Sequence, residues 1–149
     1  METINDYMMK DHQLIDGFFE RAEEAAKAAD FATLEREATE FLNRIAVHID
    51  VEDRLLFAAF EERTGMTQAG PSVTMREEHR EMEPIFDAMR DAVASRDAAG
   101  YLRAASQLVQ ILAPHNQKEE TMMYPMIDDA MGPDTRALLD EAKVAMAAA

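Results

Sequence analysis

Apolar residues recur at alternating steps of three and four along most of the chain, the spacing of one face of an α-helix. One stripe runs Ile4, Met8, His12, Ile15, Phe19, Ala22, Ala26. A second runs Leu34, Ala38, Phe41, Ile45, His48, Glu52, Leu55, Ala59. A third is Met75, His79, Met82, Phe86, Met89, Val93, and a fourth is Leu102, Ala105, Leu108, Leu112, His115, Glu119, Met122, Met126. The caps fit these stripes. Thr3 and Asp6 open a helix to about Ala28, and Asp30 opens one to about Arg63 that Gly65 closes. Residues 65–72 form a loop, Ser72 opens a third helix to about Ser95, and a fourth starts near Asp97–Gly100. A short fifth helix from Asp134 either covers the bundle or frays. Short links between the first and second, and the third and fourth, helices make those neighbours antiparallel. The pattern predicts an all-α, up-down-up-down four-helix bundle. It is one domain over residues 1–149, with hairpins at 1–65 and 72–131 and a tail helix at 134–146.

Composition narrows the function. The chain of 149 residues is 48% apolar and 30% charged, so it can bury a core and is not a disordered tail. It has no cysteine, which excludes disulfide scaffolds, thiolate metal sites and a thiol nucleophile. A net charge of −15 disfavours nucleic acid and anionic lipid and suits a soluble acidic protein or one that binds cations, most of the carboxylates being a solvated surface. Neither a membrane span nor a signal-peptide pattern is evident, so a cytoplasmic protein is expected. The 12 methionines read mostly as core filler.

The chain also repeats. Adding 67 takes His12 to His79, Phe19 to Phe86, His48 to His115, Glu52 to Glu119, Asp53 to Glu120, Phe57 to Tyr124, and Asp16 to Glu83. Two copies of one helical hairpin, packed about a pseudo-two-fold axis, bring equivalent residues together at the centre.

All four histidines fall on the stripes, one per helix. If a stripe covers roughly a third of a helix, chance places all four inward about one time in a hundred. His48 and Glu52 share a helix face, as do His115 and Glu119. Both carboxylates stand where Leu or Met is expected. Burying them unpaired costs several kcal/mol each, and no Lys or Arg occupies those stripes. Metal ions offset that cost, and imidazole with carboxylate suits iron, manganese or zinc. Four His and two Glu exceed one tetrahedral site. By symmetry, one metal takes His12 and His48, the other His79 and His115, with Glu52 and Glu119 bridging. Glu83 and Asp16, one turn past His79 and His12, are candidate terminal ligands. Glu83 is expected on the metal of His79 and His115. Asp16 is expected to stay back and leave the other metal open.

These residues resemble the hemerythrin-like, or HHE cation-binding, domain. The marks are Asp11–His12, His48 to Asp53 followed by Leu56–Phe57, Glu78–His79, and His115 to Glu120 followed by Met123–Pro125. The likeness spans about Met1 to Met131. It implies an oxo- or hydroxo-bridged di-iron centre inside the bundle, with the four His as terminal ligands and Glu52 and Glu119 as bridges. It implies chemistry with oxygen, hydrogen peroxide or nitric oxide, catalase-like peroxide removal being one form. A sensor or iron-binding protein without turnover is the first rival, and a structural metal-bound bundle the second. The oxygen-carrying branch has a histidine where this chain has Glu83, which counts against reversible oxygen transport. Ferritin-like bundles use Glu-x-x-His, whereas this chain uses His-x-x-x-Glu.

Two further expectations concern helix shape. Pro84 and Pro114 can kink their helices beside the metals. Tyr124, nine positions beyond His115, points to the opposite face of an ideal helix, so a packing role is expected unless Pro125 bends it inward.

Overall fold

The computed structural model describes all 149 residues. The helices are α1 (Ile4–Lys27), α2 (Phe31–Val51), α3 (Phe57–Thr64), α4 (Pro71–Ala94), α5 (Ala98–Lys118), α6 (Tyr124–Met131) and α7 (Thr135–Ala147). A single π-helical turn joins α2 to α3 at Glu52–Leu56, and another joins α5 to α6 at Glu119–Met123. The chain therefore forms four long rods in an up-down-up-down bundle, with α7 laid across one end.

Local chemistry sets the ends. Thr3 and Asp6 form a capping box at the start of α1. Asp30 and Asp97 cap α2 and α5 through their side chains. The two hairpin turns are copies: Ala29 and Arg96 both adopt the left-handed conformation at φ 53°. In each, the capping Asp donates its backbone N–H five residues back, Asp30 to Ala25 at 2.9 Å and Asp97 to Ala92 at 2.8 Å. Gly65 ends α3 at φ 79°, where a side chain would be strained. The third rod starts one residue earlier than the sequence indicates. Pro71 takes the first helical position, where its missing N–H costs nothing. Ser72 is instead buried and donates to Glu61 Oε2 at 2.7 Å.

The π turns shift the hydrophobic register by one residue. Beyond Glu52 the α-helical stripe predicts Leu55 and Ala59 inward, but Leu56, Phe57 and Phe60 are buried. Beyond Glu119 it predicts Met122 and Met126, but Met123, Tyr124 and Ile127 are buried and Met122 is 39% exposed. An i→i+5 turn absorbs one extra residue, which rotates everything after it by about 100° relative to an uninterrupted α-helix. The N–H groups of Phe57 and Tyr124 accordingly reach the carbonyls of Glu52 and Glu119. Both prolines expected to kink their rods lie inside helices α4 and α5 that continue through them.

Two apolar cores sit along the bundle. One, of 17 buried residues, includes Ile15, Phe41, Met82 and Leu108. The other, of 15, includes Met8, Leu56, Met75 and Met123, and takes Leu138, Leu139, Ala142 and Met146 from α7. The tail helix therefore covers the bundle end. Along every rod the buried His and Glu fall between these two cores.

Candidate metal centre

Each rod delivers one histidine to a single layer: His12 from α1, His48 from α2, His79 from α4 and His115 from α5. Glu52 and Glu119 enter it from the first residue of each π turn. All six are buried, the two carboxylates completely. They fall into two sets, His12, His48, Glu52 and Glu119, and Glu52, His79, His115 and Glu119. Within each set the donor atoms lie within 4.8 Å of one another. Each carboxylate spans both sets. Glu52 turns Oε2 to His48 Nε2 at 3.3 Å and Oε1 to His79 Nε2 at 3.1 Å. Glu119 turns Oε1 to His12 Nε2 at 3.1 Å and Oε2 to His115 Nε2 at 3.2 Å.

An outer ring of carboxylates fixes the imidazoles. Nδ1 of His12 donates to Glu120 at 2.7 Å, and that of His48 to Asp11 at 2.7 Å. Nδ1 of His79 donates to Asp53 at 2.9 Å, and that of His115 to Glu78 at 2.8 Å. A carboxylate only accepts, so each Nδ1 carries a proton and each ring turns its Nε2 inward. There Nε2 meets carboxylate oxygens, and a cation, either a proton on Nε2 or a metal ion, must sit between them. Glu52 Oε1, His79 Nε2 and Glu119 Oε2 have no hydrogen-bond partner although they are buried. No Lys or Arg lines the cavity of about 10 Å³ that these residues enclose, room for about one water-sized species. Donor type, orientation and space all fit metal ions.

The electrostatics point the same way. Burial opposes a charge on His48, yet the Glu52 charge and hydrogen bonds to Asp11 and Glu52 outweigh it and push its pKa up to about 10. His79 is likewise opposed by burial and pushed up to about 10 by Asp53 and Glu52. Burial disfavours the Glu52 carboxylate, but His48 and its other partners hold it well below the usual range. The layer therefore favours cations strongly, whether protons or metals.

The outer ring was not legible as such. Asp11, Asp53, Glu78 and Glu120 stand in the stretches that carry the family resemblance, but sequence does not show which imidazole each one serves. The signal that finds them is the repeat: Asp11 and Glu78, like Asp53 and Glu120, are 67 apart. Arg44 holds Asp11 from outside at 2.9 and 2.7 Å, and Lys118 holds Glu78.

Glu83 and Asp16 lie outside both donor sets, and both are exposed. Four residues beyond a histidine, each is turned onto its helix flank, and the inward places are taken by Met82 and Ile15. Glu83 lines a cleft of about 320 Å³ that reaches His79. Asp16 lines another of about 360 Å³ that reaches Glu120, the partner of His12. Burial pushes the Asp16 carboxyl up. Tyr124, expected on the far side, is fully buried with its hydroxyl in the layer, because the π turn rotates it inward.

A four-rod bundle with a buried, duplicated His and carboxylate layer defines a bundle metalloprotein. The sequence model of the hemerythrin HHE cation binding domain matches residues 3–127, with a second match over 70–145. The chain belongs to that family. The second match begins at the second hairpin, in keeping with the internal repeat. Searches of curated proteins and of solved structures return no match. No helix is long and apolar enough to cross a membrane.

Proposed function

We propose that the layer holds two iron ions, with manganese and zinc as the alternatives, and that the protein reacts with oxygen, hydrogen peroxide or nitric oxide. One ion would be held by His12 and His48, the other by His79 and His115, with Glu52 and Glu119 across both. The observation that carries this reading is the inward convergence of four Nε2 atoms and two carboxylates, with Glu52 Oε1, His79 Nε2 and Glu119 Oε2 left without a hydrogen-bond partner. Two irons would supply paired ferrous and ferric redox chemistry to a small ligand.

The chain's own residues would prepare that chemistry. Asp11, Asp53, Glu78 and Glu120 hold each imidazole in the tautomer that ligates and raise its basicity. The two apolar cores above and below the layer exclude bulk water and strengthen charge interactions inside it. The small enclosed space restricts access to species of a few atoms. Glu83 and Asp16 flank the two clefts and are assigned the approaches rather than ligand positions. The partners read from this chain are small ligands, not nucleic acid or membrane, and the compartment proposed is the cytoplasm.

Aerobic, iron-supplied protein should show a near-ultraviolet charge-transfer band and consume peroxide. A blank spectrum with bound zinc would favour a structural metal site. Iron without turnover would favour a sensor or reservoir. Glu83→Ala and Asp16→Ala should each retain the full metal content. Loss of metal from Glu83→Ala would restore that residue to the ligand set.

A further inference from the structure

Tyr124 breaks the two-fold repeat where it matters chemically. Its counterpart in the other hairpin is Phe57, 67 positions earlier. The two rings sit at equivalent places, each just after its π turn. Phe57 stacks on His79 with centroids 5.8 Å apart, and Tyr124 lies beside His12 at 5.7 Å. Only Tyr124 carries an oxygen.

That oxygen is placed among all four donors of one set. Tyr124 Oη lies 2.5 Å from Glu52 Oε2, 3.0 Å from Glu119 Oε1, and 3.2 Å from each of His12 Nε2 and His48 Nε2. A phenol has one hydrogen to donate, and its oxygen accepts from an imidazole N–H, so hydrogen bonds account for some of these contacts but not for all four at once. Coordination to one ion would account for the four together. Two donors bonded at about 2.1 Å to one ion and at right angles to each other lie about 3 Å apart. Three separations near that value, with a shorter one to Glu52 Oε2, fit Oη at the fifth vertex of a sphere whose other four vertices are His12, His48, Glu52 and Glu119.

We propose that Tyr124 binds the metal of the His12 and His48 half as a phenolate, which makes the two metals chemically unequal. This rests on the dinuclear reading above. On binding, the phenol O–H bond breaks, an oxygen lone pair forms the bond to the metal, and the proton leaves to bulk water. Nothing is oxidised. In the other half Phe57 offers no donor, so the vertex between His79 and His115 is left for an external ligand. That is the reverse of the asymmetry expected from Asp16 and Glu83. The cleft that reaches His79 opens on this same half.

The test is spectroscopic and uses the whole protein loaded with ferric iron. Phenolate bound to ferric iron gives a visible charge-transfer band and, on excitation into it, ring vibrations in the resonance Raman spectrum. The wild type should show both, and ring-deuterated tyrosine should shift the vibrations. Tyr124→Phe should lose both while retaining two irons. Two irons without phenolate features in the wild type would overturn this proposal alone. Features that survive in Tyr124→Phe would overturn it equally, since they must arise from Tyr7 or Tyr101. A wild-type chain that takes up no iron would overturn the dinuclear reading as well. Should Tyr124→Phe fail to fold, the isotope shift in the wild type still decides, because Tyr7 and Tyr101 touch none of the donors.

Discussion

Asp11 Oδ2 accepts a hydrogen bond from His48 Nδ1 at 2.7 Å while Arg44 grips its other oxygen. Asp11 is the residue next to His12, yet it serves the histidine of the neighbouring helix. Glu78 does the same for His115. Each hairpin is thus stitched through its own metal-facing imidazole, so fold and site share the same contacts. Burial pushes the Asp11 carboxyl up, but hydrogen bonds and charge from His48 and Arg44 outweigh it and hold it low, keeping it an acceptor.

Asp11→Asn and Glu78→Gln should each weaken metal binding by about 10- to 100-fold, because the imidazole loses a charged partner. Competition with a chelator of known affinity measures this. Asp50→Asn, whose only ion pair is with exposed Arg54, serves as the control and should change nothing. Unaltered affinity in both outer-ring variants would remove the orienting role assigned to these carboxylates.

Glu61 ties α3 to α4 across the loop. It accepts two hydrogen bonds from Arg76, both at 3.0 Å, and one from Ser72. Burial raises its pKa, but the Arg76 and Ser72 hydrogen bonds and the Arg76 charge bring it below the ordinary 4.5. A depressed carboxylate stabilises the fold fully above its unfolded pKa and loses that contribution as pH falls through the folded value. Glu61→Gln should therefore cost about 1–2 kcal/mol at pH 7. The gap to wild type in denaturant melts should narrow as pH falls below 4.5 and close once it is below the folded value. An equal gap at both ends of the range would exclude an electrostatic origin.

Ala29 and Arg96 hold left-handed backbone at the two hairpin turns, which costs a non-glycine residue about 1 kcal/mol. Ala29→Gly should raise stability by up to that amount, and Arg96→Gly by less, because the Arg96 guanidinium lies over the Phe31 ring at 5.9 Å and that contact is lost with it. Ala88→Gly, on the exposed face of α4, should instead lose about 1 kcal/mol. Thermal melts of the three variants at one pH distinguish strain relief from a general tolerance of glycine.

The convergence of four His and two Glu could be read from the sequence because His at i and Glu at i+4 share a helical face whatever the rest of the rod does. The faces beyond Glu52 and Glu119 could not. Leu55, Leu56 and Phe57 are all apolar, as are Met122, Met123 and Tyr124, so the pattern there accommodates either register. Only the backbone reveals the extra residue in each π turn. For this reason ideal-helix spacing puts Tyr124 on the side opposite the layer, whereas the π turn brings it in. Phe57, its counterpart at the same offset, carried no polar group that might have flagged the problem. Helix spacing and the family position both point Glu83 inward, whereas here it is exposed and Met82 and Phe86 fill that face.

Iron stoichiometry of protein purified from iron-supplied cells tests the dinuclear centre most directly, with melting temperature followed on the same sample before and after chelation. About two irons per chain are expected, since the layer offers two four-donor sets that share Glu52 and Glu119. Verified removal should lower the melting temperature markedly at neutral pH, because the metals bind the folded layer and not the unfolded chain. One iron or none, or a melting curve unchanged by removal, would contradict a dinuclear centre in the core.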